Sequence, residues 1–242
     1  MSALLAIHKL SKSFGGFTAL NDVTLDIAQG ERFGLIGPNG SGKTTLINCV
    51  SGALRNEAGS IVFDSKNITA LPAYRRTRLG IARSFQIPRP FTSMTVLENL
   101  TVPLDYVVHR GGLHRAQEVE RESLEILRDI GLADKAHTLS SRLSQVELRK
   151  LELARAMAAR PRLLISDEAM AGLSGAEVEE VLKILFRLNE SGITIIMIEH
   201  IMQAVMRFSQ RVVCLDAGRI ICEGAPAEIV KNLDVQKAYL GA

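Results

Sequence analysis

Apolar positions along the chain recur with two periods, near two and near three and a half residues, in successive blocks. Residues 4–10 and 23–27 alternate or run apolar and predict strands, with Ser13-Phe14-Gly15-Gly16-Phe17 between them. Arg32-Phe33-Gly34-Leu35-Ile36 predicts a short buried strand, and Thr45-Leu46-Ile47-Asn48-Cys49-Val50 predicts a helix that stops at Gly52. Strands follow over 60–64 and 81–85, the second ending at Gln86, with a short basic helix over 72–79 between them. Several early strands without long helices between them predict an antiparallel sheet beside the core.

The texture changes at Pro88 and Pro90, and no convincing strand appears between Thr95 and about Ala159. Ala116, Val119, Leu124, Leu127 and Ile130 recur at helical spacing, and Gly131 supplies a stop. The stretch from about 88 to 159 therefore reads as a helical lobe inserted into a sheet domain, closed by Pro161. Sheet pattern resumes with Leu163-Leu164-Ile165-Ser166-Asp167-Glu168, a buried strand with two carboxylates at its end. A helix over 175–190 carries Val178, Val181, Leu182, Leu185 and Leu188 on its apolar side. Residues 193–198 are apolar and β-branched on both faces, as in a central strand, and Glu199-His200 follow. Strands at about 211–215 and 219–223 flank Gly218, and 226–240 predicts short helices.

Composition narrows the class without naming it. The chain has 242 residues, 47% of them apolar, enough for one large domain with a substantial core. Its net charge is +3 with the charges dispersed, so composition gives no support for a nucleic-acid partner. No apolar run approaches the roughly 18–20 residues that span a bilayer, and the N-terminus lacks the pattern of a secretory signal. Cys49, Cys214 and Cys222 have no metal-type spacing and read as reduced core residues.

The chemistry enters at Gly37-Pro38-Asn39-Gly40-Ser41-Gly42-Lys43-Thr44-Thr45, which fits G-x-x-x-x-G-K-[ST] between a predicted strand and a predicted helix. Gly37, Gly40 and Gly42 let the backbone curl so that its N–H groups face a polyphosphate, and the helix adds the positive end of its dipole. Lys43 would reach the β- and γ-phosphates, the Thr44 hydroxyl would ligate Mg²⁺, and Thr45 would sit nearer the α-phosphate. Asp167 closes an apolar strand, where an enzyme of this kind holds Mg²⁺ through water, and Glu168 is then placed to orient or deprotonate the attacking water. His200 and Gln86 decide nothing by their spacing alone.

The order of these motifs resembles the nucleotide-binding subunit of ATP-binding cassette (ABC) transporters, over essentially the whole chain. The resemblance implies an α/β fold: a RecA-like parallel-sheet core with an antiparallel β subdomain and an inserted α-helical subdomain, the core in 1–87 and 160–242 and the helices in 88–159. It implies that Phe14 stacks on adenine, that 37–45 is the Walker A loop, and that Gln86 is the Q-loop glutamine, a catalytic residue that also meets the metal. Asp167 and Glu168 match Walker B and the catalytic glutamate, Ala171-Gly172-Leu173-Ser174 matches the D-loop, and His200 matches the switch histidine. A nearer likeness is to the ATPases of branched-chain amino acid importers, carried by Ile81-Ala82-Arg83-Ser84-Phe85-Gln86, Arg89, Phe91, Met94-Thr95-Val96-Leu97-Glu98-Asn99-Leu100 and Ile198-Glu199-His200 with Met202. Urea and amide importers share these features. The implied cofactors are ATP and Mg²⁺. The implied partners are a second ABC ATPase subunit in a homo- or heterodimer, integral membrane permeases and, indirectly, a solute-binding protein. The implied location is the cytoplasmic face of the inner membrane.

The family signature Leu-Ser-Gly-Gly-Gln is degenerate here, as Leu143-Ser144-Gln145-Val146-Glu147. Ser144 is kept, as helix N-cap and as a donor to the γ-phosphate of a partner's ATP. Val146 replaces a glycine, and a β-branched side chain both obstructs close approach and resists positive φ. Ser166 stands where an apolar residue is usual, and Ala169 where proline is usual. The implied consequence is asymmetry: paired with a different ATPase, this chain would weaken only the site built on its partner's Walker A loop. Two rival readings are a regulatory, weakly hydrolysing subunit and a soluble ABC ATPase outside transport.

Overall fold

The computed structural model describes residues 3–85, 87–109 and 116–240. β1 (Ala3–Phe14) and β2 (Phe17–Ala28) form a hairpin around Gly15-Gly16, with Phe14 opposite Phe17. Both strands outrun the apolar stretches that predict them, because polar pairs such as Ser13 and Thr18 continue the ladder towards the turn. β3 (Arg32–Ile36) leads through a glycine-rich loop into α1 (Lys43–Ser51), which Gly52 ends in a left-handed conformation. β4 (Ala58–Phe63) pairs antiparallel with β1, and β5 (Lys66–Asn67) extends that sheet to the order β2-β1-β4-β5.

After α2 (Ala73–Arg78), β6 (Ile81–Ser84) opens the second sheet. A helical section intervenes: α3 (Val96–Pro103) continues as a π-helical turn over Leu104–His109, followed by α4 (Ala116–Ile130) and α5 (Gln145–Met157). The chain re-enters the sheet with β7 (Leu163–Asp167), α6 (Gly175–Glu190), β8 (Thr194–Ile198), α7 (Met202–Phe208) and β9 (Arg211–Asp216). It ends in β10 (Arg219–Gly224), α8 (Pro226–Ile229) and α9 (Leu233–Leu240). Apolar spacing gives no prediction for α7, whose seven residues make only about two turns.

The second sheet has the order β10-β9-β3-β8-β7-β6, parallel from β9 to β6 and antiparallel only at the β10 edge. Both faces of its central strands are covered, as a parallel sheet requires. Ile195, Met197, Val212 and Cys214 face the core shared with α3–α7. Their neighbours Ile196, Ile198, Val213 and Leu215 face the core shared with α1 and the antiparallel sheet. The alternation is the period of a strand read on two apolar faces.

Arg76 is 1% exposed, and among the described residues its hydrogen bonds go to carbonyls and not to a carboxylate. Its guanidinium donates to the carbonyls of Cys49 (2.6 Å), Val50 (2.9 Å), Leu71 (2.8 Å) and Thr69 (2.9 Å). The negative end of α1 thus holds the cation that closes it.

Candidate active site

β3 runs from the middle of the parallel sheet into residues 37–42. Gly37 has a φ of 145°, and a Cβ there would stand 2.1 Å from the Leu215 carbonyl oxygen, so only glycine fits between β9 and the loop. α1 starts after Gly42 with no side chain capping its first turn, which leaves its first N–H groups open to an anion. Lys43 is 7% exposed, and its Nζ donates to Gly37 O at 2.6 Å and Pro38 O at 2.9 Å, with Ser41 Oγ at 3.4 Å. Burial pushes its pKa below the ordinary lysine value, and the negative charges of Glu168 and Asp167 are among the effects that oppose the shift. Thr44 is exposed and Thr45 half-buried.

β7 carries the carboxylates. Asp167 is buried, and Arg83 on the neighbouring strand β6 donates to its Oδ2 at 2.6 Å and to Asn48 Oδ1 at 2.6 Å. Glu168 turns off the strand with a φ of 49°, a left-handed conformation uncommon for glutamate, while its N–H still donates to Ile198 O at 2.9 Å. That turn brings Glu168 Oε1 to 2.7 Å from His200 Nε2, just beyond the end of β8. Glu199, between β8 and His200, is 2% exposed and accepts from Met170 N–H at 2.9 Å. Burial pushes its carboxyl up to about 7, with the nearby Glu168 charge adding to the rise and the Met170 and His200 amides opposing it.

Phe14, Phe17, Ala19, residues 39–45, Glu168 and His200 line one cleft of about 210 Å³. Gly37 and Pro38, which hold Lys43 through their carbonyls, are not part of its lining. Ser144 is not part of this cleft. It is the N-cap of α5, exposed, with Ser144 Oγ accepting from Glu147 N–H at 3.4 Å and Glu147 Oε2 accepting from Ser144 N–H at 2.8 Å. Lys135 pairs with Glu147 and, as the largest cause, holds its carboxyl below the usual range. Gln86 lies outside the described residues.

Val146 requires a correction. It is the second residue of α5, is absent from the described non-glycine residues with positive φ, and packs half-buried against the core. The backbone objection to valine therefore falls, because the helix needs no left-handed residue there; only side-chain bulk remains. Gln145, the other replaced glycine, sends Nε2 to within 3.5 Å of Ala171 O and would stand 2.7 Å from a Cβ on Gly172. Arg149 donates to the same carbonyl at 3.2 Å, so the start of α5 is tied to the 171–174 turn.

Residue spacing alone does not single out Phe17, Arg83, Glu199 or Tyr239. A charged residue inside the apolar strand 81–84 was the available signal for Arg83, and an acid directly after an apolar strand was the signal for Glu199. Nothing local marks Tyr239, whose hydroxyl accepts from Gly37 N–H at 2.8 Å.

A family model described as "ABC transporter" matches residues 20–171. The chain belongs to the ABC transporter family. The cassette is accordingly a nucleotide-binding ATPase, and its α/β fold with parallel core, antiparallel sheet and helical section is that of the family. A second model, "Branched-chain amino acid ATP-binding cassette transporter", matches residues 219–242. The high-affinity branched-chain amino acid transport ATP-binding protein LivG of Salmonella typhimurium is 38% identical over 249 residues, covering 98% of each chain. The ADP conformation of MJ1267, an ATP-binding cassette of an ABC transporter, superposes with a TM-score of 0.90 at 29% identity over 100% of both chains. The cassette MJ0796, in a dimeric post-hydrolysis state bound to ADP and Pi, has a TM-score of 0.82 at 26% identity, covering 92% of this chain and 98% of that one. Among the described residues, no helix of this cassette is long and apolar enough to cross a membrane.

Proposed function

We propose that this cassette is the ATP-hydrolysing subunit of an importer for branched-chain amino acids or related small polar solutes. The observation that carries the reading is the single cleft in which Phe14, the loop 39–45, Glu168 and His200 meet. Adenine stacks on the Phe14 side of the hairpin, and the phosphates lie over the open N-terminus of α1, where Lys43 leaves its carbonyl partners to meet them. Glu168 orients and deprotonates the attacking water, and His200, 2.7 Å away, fixes the rotamer of that carboxylate. Thr44 and Asp167 offer the hard oxygen donors that suit Mg²⁺, with Gln86 the third residue assigned to the metal. When bound, Mg²⁺ would supply charge neutralisation to the phosphates.

Solute class rests on the names of relatives such as LivG and on the match over 219–242. Dimer formation rests on the exposed Ser144 at a capped helix N-terminus outside its own cleft, and on the dimeric cassette MJ0796. In that arrangement Ser144 meets the γ-phosphate of the partner's ATP, with Val146 crowding the same approach. Pairing with a different ATPase confines that crowding to one of two sites. Permease docking is assigned to a groove of about 420 Å³ between β6 and the helical section, lined by Phe85, Val102, Pro103, Tyr106, Glu152 and Arg155 among others. Its exposed Tyr106 and Phe85 suit an apolar helix of a membrane subunit at the cytoplasmic face of the inner membrane. The test is size-exclusion chromatography of Glu168→Gln protein with and without ATP. A nucleotide-dependent shift to dimer supports closure of the cassette on its own kind. A monomer that binds ATP sends the search to a second ATPase subunit, and a protein that binds no ATP refutes the assignment of the cleft.

A further inference from the structure

Gly37 is gripped from two sides. Its carbonyl accepts Lys43 Nζ at 2.6 Å, and its N–H donates to Tyr239 Oη at 2.8 Å, across 202 positions of sequence. No larger residue can take its place, since a Cβ there would stand 2.1 Å from Leu215 O. Tyr239 is itself held by α9: Asn232 Oδ1 accepts from the N–H groups of Asp234 (2.8 Å) and Val235 (3.2 Å) at the start of the helix. Val235 is 4% exposed, and Tyr239 lies four residues on, on the same helical face. The tyrosine ring is partly exposed while burial pushes the phenol pKa up, so the hydroxyl stays neutral at physiological pH. The contact joins the two separately matched parts of the chain, residues 20–171 and 219–242.

We propose that Tyr239 is a positioning residue for nucleotide binding: its hydroxyl fixes the entry of the phosphate loop from the last helix of the chain. With Gly37 N–H satisfied, the loop keeps the curl that presents its later N–H groups and Lys43 to a polyphosphate. Without it, a buried donor is orphaned at the hinge of the loop, and the donors must be ordered when nucleotide arrives. This rests on residues 37–45 being the phosphate loop.

The test uses the full chain and a fluorescent ATP analogue with Mg²⁺. Tyr239→Phe keeps the ring and its packing and removes only the acceptor. It should weaken analogue affinity about fivefold, the scale of one net hydrogen bond. In the parent protein the Gly37 amide should exchange slowly with solvent, and in the variant at least about tenfold faster. Affinity within about twofold of the parent overturns the proposal, whatever happens to the melting temperature, because Tyr239 would then only strut α9. A Gly37 amide that exchanges freely in the parent overturns it without any variant. Lys43→Ala separates the two failures. If it leaves affinity intact, the phosphate-loop reading itself is wrong; if it abolishes binding while Tyr239→Phe changes nothing, only the role of Tyr239 falls.

Discussion

At the phosphate loop the charged groups already have partners within the chain: Lys43 on the Gly37 and Pro38 carbonyls, Asp167 on Arg83, Glu168 on His200. At the start of α5 the arrangement is local and open, with exposed Ser144 capping its own helix through Glu147. On the proposed reading nucleotide at the loop displaces existing contacts, so affinity there is a difference between two sets of hydrogen bonds. A ligand at Ser144 displaces nothing comparable. Side-chain losses at the loop should therefore be felt in binding and in folding stability, whereas changes at the start of α5 should be felt in association and turnover.

The largest effect should come from Lys43→Ala, which leaves the cleft without its cation. ATP affinity and turnover should each fall at least about 100-fold, measured by analogue titration and phosphate release, and retention of turnover would erase the contrast between the two regions. Arg83→Met should come next. It leaves the buried Asp167 carboxylate unpaired and should lower unfolding free energy by about 3 kcal/mol in urea titrations. Unchanged stability would mean that the 2.6 Å contact from Arg83 is not what holds the Asp167 charge in the fold.

Glu199 should give a pH signature confined to the loop region. Its folded pKa, about 7, lies above the ordinary 4.5, so its contribution to stability is fully present below 4.5 and is lost as pH rises through 7. Glu199→Gln keeps an acceptor for Met170 N–H and should flatten that fall, gaining on the order of 1–3 kcal/mol over the parent at pH 8. Parallel pH profiles for the two proteins would remove Glu199 from the account. Val146→Gly should be smallest. A glycine inside the first turn of α5 should cost about 1 kcal/mol of stability. Turnover in a homodimer should still rise a few-fold, as the partner's phosphate gains room; no rise in the assembled complex would free Val146 of any part in asymmetry.

How much of this was legible in the chain differs between the same two regions. The capping box at Ser144 and Glu147 and the loop 37–45 are short-range patterns, written within a few consecutive residues. The buried strand ending in Asp167-Glu168 was legible because a strand covered on both faces is apolar throughout. The pairing of Glu168 with His200, 32 residues apart, required the parallel register of β7 and β8. Phe17 shares the cleft with Phe14 only because the hairpin continues to its turn.

Sequence by itself determined the nucleotide chemistry, the order of the longer strands along the chain and the helices that follow residues 42, 144 and 174, since glycine spacing, capping residues and apolar period act over a turn or a strand. Tertiary structure alone decided that Arg83 engages Asp167 across 84 positions and Tyr239 engages Gly37 across 202, and that Val146 sits in ordinary helix. Those outcomes depend on which strands become neighbours and where the last helix docks. Local periodicity carries no record of either, because it states which face of an element is buried and not what is buried against it.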